Sequence, residues 1–453
     1  MAYYQAEYYR DKSVAVKLNI LSLAVLIAML GSLTTYIEYV PKSVGYAISV
    51  SSIVFSSFLL LISRQIVSMA WKLLSLSLWF WLWAFVLLGT QLIVTFQGFL
   101  SFEGLVWTIG YLVLFTLTYF ALAPAALLTG ERIWPFLGIV ISGPSLIGIL
   151  GSMGVLQIGV KPWEIPILHI PWTKSLFMDS NYSAVVAFVG LVSSMYGCML
   201  SNTRRLKLIW ATLSIINFVS MSLCYSRAAY LATFMAATVW FLTSKKFRWY
   251  WKVMLTTSAV VTLVLLATWA LKNPEIKAFL QVERGMTGRE LLWPAAIKAI
   301  AERPLFGWGV GNVDDVVLST VGHWVSTHNT FLDFAIMTGI PGVTALLWII
   351  TASVMPLLHK TDGRSHQKRF LLTLLSGLLT TTQFITFTPG GAGFASFIFA
   401  LALGQANVLR IRAVQASYPP ALDPIKRFGL DEDVYARLKN EVATTKDIIT
   451  DRW

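Results

Sequence analysis

Apolar runs of about 20 residues recur from Leu18 almost to Arg410, each long enough to cross a hydrocarbon layer about 30 Å thick. A water-soluble core cannot enclose so many of them. The chain therefore reads as an all-α integral membrane protein of about 12 transmembrane helices, since a helix satisfies its own backbone in lipid. Spans are expected near 18–38, 44–63, 73–95, 104–128, 133–156, 182–200, 207–225, 228–243, 251–271, 340–358, 370–388 and 393–410. Composition agrees, with 13% charged residues against about 25% in soluble domains. The first run follows a polar, Tyr-rich segment bearing Arg10, Lys12 and Lys17, and lacks a cleavage site, so it is expected to stay as a span.

The net charge of +13 does not imply a nucleic-acid partner. Its cations fall in alternate loops, at Arg64 and Lys72, Arg132, Arg204 to Lys207, Lys245 to Lys252, and Lys360 to Arg369. The intervening short loops hold only Lys42, Lys161, Lys174 and Arg227. Basic loops stay in the cytoplasm, which orients the chain with both termini inside. A transmembrane domain is expected over 1–410, with a charged cytoplasmic tail at 411–453. Two outer segments exceed simple turns: 157–181, expected to lie along the membrane surface, and 272–339, expected to be the catalytic loop. Cys198 and Cys224 sit near opposite ends of neighbouring spans, so neither a disulfide nor a metal site is expected.

The candidate chemistry lies outside the spans. Arg227 opens a turn with little other polarity; a cation so close to hydrocarbon faces either the interface or a cavity holding an anion. Thr287 and Glu290 have capping-box spacing, which predicts a helix carrying Arg289 and ending near Arg303. The two arginines would lie on one side of it but about 21 Å apart by helical rise, too far to grip one phosphate together. Planar guanidinium forks suit phosphate oxygens, and Arg284 is a weaker candidate for the same task. His328 is predicted to share a helix face with Ala335 and Gly339, with Gly339 and Pro341 ending that helix. A neutral imidazole there can accept a proton from a sugar hydroxyl. His323 is a second candidate base, and Asp179, Asn181 and Tyr182 are candidates to line a polar pocket. Asp314 and Asp315 look like a metal pair, but no third ligand is spaced to join them. The Gly-rich stretch Gly307 to Asn312 lacks the Lys-Ser/Thr of a nucleotide phosphate loop and reads as a tight turn.

At these residues the chain resembles the O-antigen ligase family, within the group that also holds O-antigen polymerases and protein O-oligosaccharyltransferases. The family pattern is His, then Asn/Ser/Gln, nine residues, Gly, two residues, then Gly/Thr/Tyr. His328-Asn329 and Gly339-Ile340-Pro341-Gly342 match it in full. GRELLW, RPLFGWGVGN, SRAAYLA around Arg227 and MDSNYSA near Asn181 are similar to the group's recurring segments.

The resemblance implies a GT-C-type architecture and metal-independent, inverting transfer of a glycan from undecaprenyl pyrophosphate to an outer-leaflet acceptor, lipid A-core above all. By that likeness His328 is the base, Arg227, Arg289 and Arg303 bind the donor pyrophosphate, and Asn329 supports them. No cofactor or nucleotide is implied, because the donor is already activated. A multi-pass place in the bacterial inner membrane is implied, among its lipids, with the site on the periplasmic side. A polymerase and a protein O-oligosaccharyltransferase stay open. A lipid-glycan flippase would call for ionisable residues near the membrane midplane, and the spans are almost free of them.

Overall fold

The computed structural model describes residues 19–97, 102–165, 169–244, 248–270, 272–273, 288–322, 326–358, 365–387 and 390–417. Among these, eight helices are long and apolar enough to cross a membrane. The first four are α1 (Asn19–Tyr36), α2 (Lys42–Leu60), α4 (Leu78–Phe96) and the continuous run Phe102–Ser152. That run consists of α5 (Phe102–Thr116), a π-helical stretch at Leu117–Leu122, and α6 (Ala123–Ser152). The other four are α7 (Ser180–Leu200), α8 (Arg204–Leu223), α13 (Thr330–Leu358) and the start of α15 (Phe394–Ser417). Three further helices fall where spans are expected: α9 (Arg227–Leu242), α10 (Trp249–Ala270) and α14 (Ser365–Thr381).

The sequence predicts a turn near 129–132, yet helical backbone runs on from Phe102 to Ser152. A straight helix of 51 residues would be about 77 Å long, more than twice the hydrocarbon thickness. Its contacts resolve the conflict. Gln367, at the start of α14, reaches Leu127 O at 3.4 Å and sits against Gly130. Tyr111 and Gly148 meet Gly390 and Thr173 respectively, segments that lead into α15 and α7. Both ends of the run therefore lie on one side and its middle on the other, so it passes through the layer twice.

Two elements were not legible beforehand. Residues 64–75 form a separate helix, α3 (Arg64–Ser75), which buries Ile66 and Leu73 while Arg64, Trp71 and Lys72 stay exposed. A two-faced helix of this kind rests in a membrane interface instead of extending the next span. Within 157–181, β1 (Val160–Ile165) and β2 (Ile170–Thr173) pair antiparallel. Ile165 and Trp172 pack on Tyr225, with Trp172 and Tyr225 ring centroids 5.1 Å apart. The hairpin thus braces the turn between α8 and α9 that carries Arg227.

Small residues permit the close helix packing expected of lipid-embedded bundles. A Cβ on Gly148 would come within 2.6 Å of Thr173 Oγ1, and one on Gly151 within 2.4 Å of Ile158 O, whereas Gly143 and Gly154 face open space. Cys198 and Cys224 are free thiols; Cys224 is buried and Cys198 half-buried. The contacts divide the chain into one unit at Met1–Val408 and a second at Leu409–Trp453, of which only the end of α15 is described.

The late loop contributes α11 (Arg289–Glu302) and α12 (Val313–Val321). Gly288 begins α11 in a left-handed conformation, φ 83°, and its N–H donates to the Glu290 carboxylate at 3.3 Å. Thr287 lies outside the described residues. Pro294 sits within α11 without ending it.

As expected, Gly339 interrupts α13: its φ of 70° and ψ of −174° belong to a region reserved for glycine. The carbonyls freed by that break need donors. The loop from Pro304 to Val310 supplies them, with Trp308 N–H donating to Ile336 O at 2.7 Å and Gly309 N–H to Met337 O at 3.0 Å. In return Ile340 N–H donates to Pro304 O at 2.8 Å. The Gly-rich stretch is therefore the cap of a broken helix, and Val310 N–H continues it by donating to buried Gln91 at 2.9 Å. A Cβ on Gly339 would lie 2.6 Å from Pro304 O. Gly339→Ala should cost about 2 kcal/mol or more. A thermal melt in detergent checks this against Gly143→Ala, which meets nothing within 4 Å and should melt like the parent.

Candidate functional site

The site is built around one laced segment. Residues 382–387, leaving the end of α14, fold against the entry to α13. Thr330 N–H donates to Thr382 O at 2.9 Å, Asn329 Nδ2 to Gln383 O at 3.4 Å, and Thr330 Oγ1 to Ile385 O at 3.2 Å. Asn329 caps α13 with its side chain, accepting from Phe331 N–H at 2.9 Å and Leu332 N–H at 3.1 Å. This corrects the expected position of His328. It lies before the helix, not on its face, in the left-handed conformation at φ 53°.

That unusual backbone is held by its neighbours. Buried Asp333 accepts from Thr327 N–H at 3.0 Å and Thr327 Oγ1 at 2.5 Å through one oxygen, and from Thr386 Oγ1 at 2.6 Å through the other. Trp293, on α11, donates to Thr327 O at 3.1 Å. His328 N–H donates to Ser326 Oγ at 3.3 Å, and the Ser326 hydroxyl is 3.3 Å from that of Thr386. Each residue beside His328 is thus fixed, and the imidazole is left exposed.

Arg289 joins it from α11. Its guanidinium donates to Phe384 O at 2.8 Å and lies 5.7 Å from the centre of the Phe384 ring. The field of this cation reaches His328. The imidazole is held below its ordinary pKa of 6.5, first by loss of water around it and then by the Arg289 charge, with Asp179 opposing. Burial and the Arg289 charge thus both favour the neutral imidazole, the form able to accept a proton.

The Asp179 influence ties in a second group. Asp179 caps α7, accepting from Asn181 N–H at 2.8 Å, and forms an ion pair with Lys161 of β1 at 3.5 Å. Asn181 Oδ1 accepts from Ser226 Oγ at 2.8 Å, and the next residue is half-buried Arg227, the first of α9. So Asn181 and the start of α9 are brought together, and the charge of Asp179, the cap of the same helix, reaches His328. Arg303 goes elsewhere. It ends α11 in a non-helical conformation, stacks over Trp308 at 4.3 Å and donates to Gln97 at 3.1 Å. Arg284 and His323 lie outside the described residues. Asp314 and Asp315 sit in the first turn of α12, where burial, and then the neighbouring Asp315, raise the carboxyl of Asp314 above the usual range. Among the described residues no group of His, Cys, Asp or Glu is placed to hold a metal ion.

Sequence reasoning passed over Asp333, although it carries the only charge between Thr330 and Leu358. A lone acid at the mouth of an apolar run, five residues after the histidine, was the available signal. Phe384, Thr386 and Lys161 gave none, because their contacts join segments far apart in the chain.

No curated protein matches the chain. The O-Antigen ligase family model matches residues 212–347, a stretch holding Arg227, Arg289, Arg303, His328, Asn329 and the Gly339 break. From within α8 to within α13, this chain is similar to the O-antigen ligase family.

Proposed function

We propose that the protein transfers a glycan from undecaprenyl pyrophosphate to an acceptor hydroxyl in the outer leaflet, with lipid A-core as the acceptor. The observation that carries this reading is an arginine and a histidine loop held against one segment, residues 382–387, with burial and then the arginine's charge both favouring the neutral imidazole. The acceptor hydroxyl gives its proton to His328 as its oxygen bonds to the anomeric carbon from the face opposite the diphosphate. The carbon–oxygen bond to the diphosphate breaks with inversion, and the lipid diphosphate leaves. Its growing charge is met by Arg289 and Arg227, cations already in place in a poorly hydrated site. Arg303, occupied by Trp308 and Gln97, serves this reading by holding the capping loop. The match to the O-antigen ligase family model supports glycan transfer of the ligase or polymerase type, and the residues suggest the direction of proton movement.

Reconstitution with a lipid-linked glycan and alternative acceptors tests the reading, with products resolved on gels and by mass spectrometry. Label on lipid A-core is the expected result. A lengthening ladder on the lipid carrier would make the protein a polymerase, and label on protein a protein transferase. No transfer to any acceptor would overturn the reading.

A further inference from the structure

Behind the loop that carries His328 lies a cavity of about 410 Å³, within the size range of small-molecule sites, roughly 300–1,000 Å³. Ser326, Asp333 and Thr386 form part of its wall, so the cavity and the imidazole share one loop. Across from them runs a chain of aromatic rings. Tyr111 and Trp107 are 6.2 Å apart, Trp107 and Tyr46 5.9 Å, Tyr46 and Tyr36 6.5 Å, and Tyr36 and Tyr182 4.3 Å. The rings come from α1, α2, α5 and α7, and Gly390 is pressed against Tyr111 O with no room for a Cβ. Glu103 and Asp314 add carboxylates, the former accepting from Trp107 Nε1 at 3.2 Å. No Lys, Arg or His occurs among the described residues that line the cavity.

This lining decides the ligand class. The carboxylates of this lining disfavour a diphosphate and accept hydrogen bonds from hydroxyls. Aromatic faces offer apolar area to the C–H face of a sugar ring, and tyrosine hydroxyls pair with its edge. The diphosphate cations, Arg289 and Arg227, stand outside it. From this division we propose that the cavity is a saccharide-binding subsite, in which Trp107 and Tyr111 stack on an uncharged sugar ring and Glu103 and Asp314 take its hydroxyls. The proposal rests on the glycosyl-transfer reading of the His328 site. It extends that reading by separating where sugar is held from where phosphate is held.

The sugar could belong to the donor glycan or to the acceptor, and two probes separate these sources. One is the free oligosaccharide released by mild acid from the lipid-linked donor; the other is deacylated lipopolysaccharide core oligosaccharide. Binding of each to the full-length protein in detergent is followed by saturation-transfer NMR and calorimetry. One of the two should bind, with affinity reduced tenfold or more by Glu103→Gln and by Trp107→Ala, and unchanged by Arg289→Gln. Glu103 is exposed, so Glu103→Gln keeps the fold even if Trp107→Ala does not. Equal affinity in parent and Glu103→Gln, or no binding of either probe to the parent, would overturn the subsite. So would loss of binding in Arg289→Gln alone, which would put the sugar among the cations. These measurements need no turnover. A parent that binds saccharide but fails in reconstitution would sink the transfer reading and leave the subsite standing.

Discussion

His328→Ala should reduce glycan transfer by roughly 10²- to 10⁴-fold, the usual contribution of a positioned general base, while the protein still melts cooperatively. The side chain is exposed and makes none of the bonds that hold its loop; those belong to Thr327, Asn329 and Asp333. Only the left-handed backbone is affected, and alanine at φ 53° adds modest strain. Asparagine tolerates that conformation better, so His328→Asn should melt like the parent and be equally inactive. The pH profile adds a sharper test. A base must be deprotonated, so kcat/KM should rise with pH and reach its plateau once the imidazole is neutral. Because partial loss of surrounding water and then Arg289 hold the pKa of His328 below 6.5, that limb should lie below pH 6.5. Transfer that persists in His328→Asn would remove the catalytic assignment.

The second large effect is expected at Arg289. Arg289→Gln should weaken donor binding and slow transfer by at least about 100-fold, comparable to removing one preorganised donor from a transition-state anion. Arg289→Lys should recover little of it, since a lysine retains the charge but loses the planar fork and its reach to Phe384 O. Glutamine also removes the cation that disfavours the imidazolium. The pKa of His328 should therefore rise, and the rising limb of the pH profile should move to higher pH. Donor titration together with the pH profile of residual activity measures both. An unshifted limb would mean that Arg289 and His328 do not share a site, whatever the loss in rate.

The two effects come from different layers of one design. Asp333, Thr327 and Thr386 fix the histidine loop from beneath, and the Phe384 carbonyl and ring hold the arginine from the side. The Pro304–Val310 loop then caps the helix break at Gly339, keeping the short first part of α13 from running on as a straight span. A left-handed His328 and a glycine-only Gly339 thus bracket a nine-residue helical stub whose first residues meet the candidate site and the cavity.

Much of this was written in the chain. Apolar runs of bilayer length dictate helices, since no other open structure satisfies its backbone in lipid. Gly339 with Pro341 announced the break in α13, and the His-Asn pair with its spaced glycines announced the resemblance that the match at residues 212–347 repeats. The residue types that the proposed reaction would use could also be named from the chain, because phosphate calls for arginine and proton transfer for histidine. Position could not. His328 was expected on a helix face, but the side-chain cap made by Asn329 moved the helix start past it. Arg289 and Arg303 were expected to share a side; Arg289 donates to Phe384 O, whereas Arg303, at the non-helical end of α11, stacks on Trp308. The hairpin at 160–173, the role of Asp333 and the tyrosine-lined cavity depend on contacts between residues tens to hundreds apart. Sequence period records which face of one segment is apolar; it holds no record of which other segment will meet that face. Tertiary packing alone decided that Arg289, 39 residues before His328, would bind the same 382–387 segment that the histidine loop meets.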